Sequence, residues 1–240
     1  MISLWLNELR KLRRRKGLFW ASGTIVTLPA VGFAIYRAVK LIGDSNSTTE
    51  IMEGAGASVL IGLVCSVLAG AIIGSWDQSR GTARYILMSG TTRVRLMIAQ
   101  ILAVITYSVV LCLYGIIVFL ILSFIIPGSS GGYDHLGSDT LHALVPSVAM
   151  AVFAYGIGLA IGEVGVTVAV SLITYFVLMI AGPLLGSWLS RYPWIEHIFL
   201  PDALARMFEP GKLWVSLAVV FVWLGAILGL AWNMLRRREF

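Results

Sequence analysis

The chain has 240 residues, 58% of them hydrophobic and only 12% charged, about half the charged share of an ordinary soluble domain. Its polar stretches are too short to fold as a soluble unit of their own, so the expected class is an all-α integral membrane protein in one domain, residues 1–240. The net charge is +6, which in so apolar a chain points to orientation in a bilayer and not to nucleic acid.

Residues 1–16 come first. Ile2, Trp5, Leu6, Leu9 and Leu12 fall within an arc of roughly 120° on a helix. Arg10, Lys11, Arg13, Arg14, Arg15 and Lys16 dominate the rest. Two readings fit: a helix lying in the membrane interface with its bases toward anionic headgroups, or a plain positive anchor with no partner. No small-x-small cleavage site follows the next apolar run, which argues against a removable signal peptide.

A first span is expected over residues 18–36, with Pro29 inside it, and a second over 55–75. Residues 76–95 form a polar segment with four arginines. A third apolar run covers 96–126, long enough at 1.5 Å per residue to exceed a hydrocarbon core of about 30 Å. The fourth span is expected over 141–161 and the fifth over 164–186, with a tight turn at Gly162 and Glu163 between them. Residues 188–212 are amphipathic and broken by Pro193, Pro201 and Pro210. A sixth span, 213–235, ends in Arg236, Arg237 and Arg238.

Charge orders these segments. With six crossings and the N-terminus inside, the inner segments hold 13 of the 18 Lys and Arg, and the outer ones hold eight of the 12 acids. That asymmetry predicts both termini in the cytoplasm.

Several chemistries are missing. There is no phosphate loop of the G-x-x-x-x-G-K-[ST] type, so ATP is not expected to bind here in that way. His135, His142 and His197 fall in or beside outer segments and read as exposed, not as metal ligands. Cys65 and Cys112 sit inside apolar runs and read as small buried hydrophobes. Serines within the spans lack a histidine at comparable depth, so catalysis on this chain is not expected. The spans hold almost no ionisable residue, which disfavours an ion-coupled carrier.

The informative segment is 76–95. Asp77 is suited to capping a short helix. Arg80 and Arg84 are four apart and would share a helix face, and Tyr85, Ile86, Leu87 and Met88 form an apolar group. An amphipathic cytoplasmic helix of this kind suits a soluble partner; a merely solvated basic loop is the other reading.

Asp77, three residues, Gly81-Thr82, then Arg93 before the next span resembles the first cytoplasmic loop of ABC-2-type transporter permeases. Asp77 replaces the glutamate more usual there. The basic N-terminal helix, six spans, the tight turn between spans four and five, and the broken segment before span six agree in order, so the resemblance covers essentially the whole chain. It implies a dimer, of the same or a related permease subunit, seated on two copies of a separate ABC ATPase that holds the ATP and magnesium. It implies no cofactor on this chain. It implies coupling through Asp77, Arg80, Gly81, Thr82 and Arg84, with a smaller contact from Glu163. The flanking interface helix would present Trp5, Leu9, Arg13 and Arg14, and residues 188–212 would be re-entrant outer helices. The cargo route would follow spans two and five, where Tyr175, Phe176, Met179 and Pro183 are candidates; packing is the competing reading for these. The implied function is export of a hydrophobic or amphipathic cargo (a peptide antibiotic, drug or lipid-like molecule) across the cell membrane. A non-transporting scaffold, assembly or sensor subunit is the alternative. Gly70/Gly74, Gly158/Gly162, Gly182/Gly186 and Gly225/Gly229 are spaced for close helix approach, within or between subunits.

Overall fold

The computed structural model describes residues 2–14, 17, 20, 22–28, 31, 32, 35, 52–125, 136–189, 200, 203, 204, 207 and 212–237. Every extended element among them is an α-helix: α1 (Ile2–Arg14), α2 (Met52–Ser79), α3 (Thr82–Met88), α4 (Arg93–Ile125), α5 (Leu136–Ile161), α6 (Val164–Leu189) and α7 (Leu213–Arg237). Residues 22–28, within the expected first span, are also helical. Pro29 and residues 36–51 lie outside the described residues.

Among the described residues, three helical stretches are long and apolar enough to cross a membrane: Arg93–Val118, Thr140–Ile161 and Leu213–Arg237. A shorter apolar stretch covers Val164–Leu178. The 33 residues of α4 amount to about 50 Å of helix, well beyond the hydrocarbon thickness. Outward faces are apolar, as lipid contact requires: Val110, Ile117 and Ile121 on α4 and Phe221, Val222 and Leu230 on α7 are all exposed.

Helix α5 is the hub, packing on α2, α4, α6 and α7. Residues 151–159 are buried without interruption. Its closest partner is α2. A Cβ on Gly70 would collide with the carbonyl oxygen of Ala151, and one on Gly74 with that of Tyr155. The two backbones meet through residues that have almost no side chain. This is how helices associate where lipid tails offer no hydrophobic driving force. Gly70, Gly74 and Gly158 therefore pack within one chain. Gly162 does something else: its φ of 78° makes the turn between α5 and α6. Gly225 and Gly229 face open space. The surroundings of Gly182 and Gly186 lie outside the described residues.

Two apolar clusters flank the α2–α5 pair. One joins Leu12 of α1 and Val26 to Ala103, Val104, Tyr107 and Leu111 of α4. The other joins Phe153 of α5, Tyr175 of α6 and Val220 of α7 to Leu200, Ala203, Leu204 and Met207. Those last four are the buried residues described within 190–211; the re-entrant path expected for 188–212 otherwise lies outside the described residues. Cys65 and Cys112 are buried and unbonded to each other.

Candidate functional site at the turn between α2 and α4

Helix α2 does not stop with its apolar run. It continues to Ser79, which puts Asp77 in its last turn. Asp77 is therefore not the N-cap of the next helix: Gly81 stands at the cap of α3, with no side-chain cap bond. The carboxylate is buried at 6% exposure and works as a collector of donors. The Thr82 hydroxyl lies 3.0 Å from its Oδ1 and 3.2 Å from the Asp77 carbonyl oxygen, sharing one proton between them. Gln100 Nε2 donates to Oδ2 at 2.9 Å, and Lys11 Nζ donates to the same oxygen at 3.2 Å. An ionised carboxylate accepts at several lone pairs, so one residue can hold three side chains.

Between Asp77 and Thr82 the chain reverses. Gly81 has φ 67° and ψ 5°, the left-handed region that costs an L-residue about 1–2 kcal/mol and glycine nothing. Nothing lies within 4 Å of where its Cβ would be, so the need for glycine is conformational and not steric. A second left-handed glycine, Gly90 at φ 86°, closes α3. The short helix is thus bracketed by two backbone reversals. Because the first of them separates Arg80 from α3, Arg80 and Arg84 do not share one helix face as expected. Arg80 lies exposed with its guanidinium 4.3 Å over the ring of Trp76, a cation–π contact. The surroundings of the Arg84 side chain lie outside the described residues. On α3 itself Ala83 is buried, Ile86 and Leu87 are half-buried, and Tyr85 and Met88 stand out at 72% and 66% exposure.

The same end of the bundle ties other helices in. Gln78 Nε2 donates to the Leu159 carbonyl at 3.1 Å, and an Arg93 guanidinium N–H donates to the Leu235 carbonyl at 3.2 Å. Both acceptors sit in the last turns of helices, where carbonyls lack intrahelical partners. Behind Asp77, the Tyr155 hydroxyl donates to Gln100 Oε1 at 3.0 Å, so the amide is gripped at both ends. Asp77, Gln78, Arg93 and Gln100 line part of a cavity of about 20 Å³, enough for one water. Glu163 stands exposed in the turn after α5, outside this group.

In α1, Trp5 and Leu9 pack half-buried against the first apolar cluster, while Arg13 and Arg14 are exposed. Unforeseen from sequence is that the buried face also carries Glu8 and Lys11. Lys11 Nζ is 2.7 Å from Glu8 Oε1 as well as 3.2 Å from Asp77 Oδ2. Burial pulls the Lys11 pKa down, but the Glu8 hydrogen bond and the charges of Asp77 and Glu8 outweigh it and raise the value above 10.5. Gln100 and Tyr155 are the other unforeseen members. A lone amide in the apolar run 96–126 was the available signal for Gln100.

The proposed cargo residues separate. Tyr175 is buried within the chain, while its neighbour Phe176 points outward at 52% exposure, the two rings edge to face at 5.4 Å. The surroundings of the Met179 and Pro183 side chains lie outside the described residues.

Long apolar helices joined at one end by a polar knot define an all-helical membrane protein. Residues 19–240 match the family described as protein of unknown function, DUF2705, and the chain belongs to that family. No curated protein matches it.

Proposed function

We propose that this chain is the permease subunit of an ABC exporter, with its ATPase on a separate chain. One observation carries the reading. The Asp77–Gly81–Thr82 turn holds α3 off the end of the bundle with Tyr85 and Met88 exposed, and it connects through hydrogen bonds to α1, α4 and, via Gln78, α5. A small apolar knob so mounted suits transmission of force from a soluble partner into the spans. In this reading the chain crosses the cell membrane six times with both termini cytoplasmic. Two permease subunits, identical or related, sit on two ATPases that bind ATP and magnesium. Arg80 and Glu163 face the ATPase, and Arg84 belongs to the docking helix; Phe176 lies toward the second subunit; the cargo is hydrophobic or amphipathic. The basic face of α1 lies on anionic headgroups, and no nucleic acid is involved.

The test is a pull-down of the tagged full chain in mild detergent, with mass spectrometry of what accompanies it. An ATPase bearing a phosphate loop, at about one copy per permease and lost on Tyr85→Asp with Met88→Asp, is the expected result. Folded chain recovered with no ATPase would replace this reading by a scaffold or sensor subunit.

A further inference from the structure

Lys11 is the only cation bonded to Asp77 among the described residues, and it comes from an element outside the loop altogether. It reaches Asp77 across 66 positions of sequence. Around it stand two carboxylates, Glu8 at 7% and Asp77 at 6% exposure. One ammonium thus serves two buried acids. The gap between α1, α2 and α4, lined by Glu8, Lys11, Leu12, Ile73, Asp77 and Ala103, amounts to about 10 Å³. That is room for one water at most, and Lys11 Nζ reaches both carboxylates directly, at 2.7 and 3.2 Å. Leu12 beside them is buried. Such a pair matters most when one partner is removed, because the remaining charge is left buried and uncompensated.

We infer that Lys11 is a positioning residue for the turn that carries α3: by holding Asp77 Oδ2, it keeps Oδ1 aimed at Thr82, so that the seating of α1 sets the attitude of α3. This rests on the turn being the coupling site. Glu8 has the opposite part. It competes with Asp77 for the same ammonium, so neutralising it leaves Lys11 wholly to Asp77. The amphipathic N-terminal helix is then more than an anchor: it is the second support of the coupling turn, alongside Gln100 on α4.

The experiment is amide hydrogen exchange on the full chain in lipid nanodiscs, read separately over α3, α1 and the long helices. Lys11→Met should speed exchange across α3 by on the order of tenfold, the effect of losing one charge-assisted hydrogen bond, with α4 and α5 unchanged. Lys11→Arg should restore the slow rate, and Glu8→Gln should leave it slow. If Lys11→Met fails to fold, Lys11→Met with Glu8→Gln removes one of the two buried acids that lose this cation and still denies it to Asp77. Fast α3 exchange in that double variant is then expected. Wild-type α3 exchange in a folded Lys11→Met or double variant would overturn the inference, as would failure of Lys11→Arg to restore it. Loosening of α3 in a chain that recruits no ATPase would leave Lys11 as the support of the turn and remove the coupling reading alone.

Discussion

Gly158 meets Gly74 almost backbone to backbone: a Cβ on Gly158 would stand 3.0 Å from the Gly74 Cα and 2.8 Å from the carbonyl oxygen of Ala71. The contact has no flexible side chain that could give way. Gly158→Ala should therefore destabilise the fold by about 1–3 kcal/mol through overpacking. Gly225→Ala and Gly229→Ala, where nothing lies within 4 Å, should be neutral or slightly stabilising. Thermal unfolding of the purified chain in one detergent, all three variants side by side, checks the contrast.

The left-handed Gly81 leads to a second expectation. Gly81→Ala should cost about 1–2 kcal/mol from backbone strain alone, and Gly81→Asn less, since asparagine tolerates that region better. The loss should fall on α3 and not on the spans. Limited proteolysis within residues 76–95, compared with the global melting temperature, separates the two.

At Asp77, Asn keeps the shape and removes the charge. Its new NH₂ must face either the Thr82 hydroxyl, which can turn to accept, or the Gln100–Lys11 pair, both donors, and in either case the charge that holds Lys11 is gone. Asp77→Asn should lose about 1–3 kcal/mol. Tyr155→Phe should produce a smaller loss at the same place, since it strips the Gln100 Oε1 of its 3.0 Å donor. Because these side chains share one network, the double variant should lose less than the sum of the singles. Chemical denaturation in mixed micelles gives the three differences.

The Lys11 ion contacts also set a pH dependence. The Lys11 pKa is raised above 10.5 in the folded chain, so the stabilisation it supplies is complete below that value and is lost as pH climbs through the raised one. Glu8 and Asp77 are the charged groups bonded to it. A spin-label distance between α1 and α4 should hold constant from neutral pH to about pH 10 and lengthen only beyond. Release of α1 near pH 8 would contradict the assignment.

Much of this architecture was legible from local pattern. The apolar runs gave α4 through α7 nearly their observed ends, because a span must be continuous to cross lipid. Of the expected arc, Trp5, Leu9 and Leu12 mark the face by which α1 packs, whereas Leu6 stands exposed and the side chain of Ile2 lies outside the described residues. Local reasoning went wrong where helices continue past their apolar stretch: Asp77 looked like a cap because the run seemed to end at Ser75, yet Gln78 and Ser79 still belong to α2. It could not find the partners of Asp77 at all. Lys11 and Gln100 are 66 and 23 residues away, and Arg93 reaches Leu235 across 142. Glycine spacing showed that α2 and α5 could approach something closely; only the fold shows that they approach each other, and that Gly225 and Gly229 are left open.

The long reach from Lys11 to Asp77 has a consequence for how the chain is made. Translation delivers the ammonium first and its carboxylate 66 residues later, a delay of ~3–13 s at ~5–20 residues per second. Throughout that interval Glu8 is the acid bonded to Lys11. A charged helix cannot wait inside hydrocarbon, but it can wait at the headgroups, where Arg13 and Arg14 remain solvated. The basic outer face of α1 suits such a wait, and the inner face can close on Asp77 once α2 has been delivered. The order of synthesis lets the Lys11–Asp77 bond form before Gln100, 23 residues further on, can reach the same carboxylate.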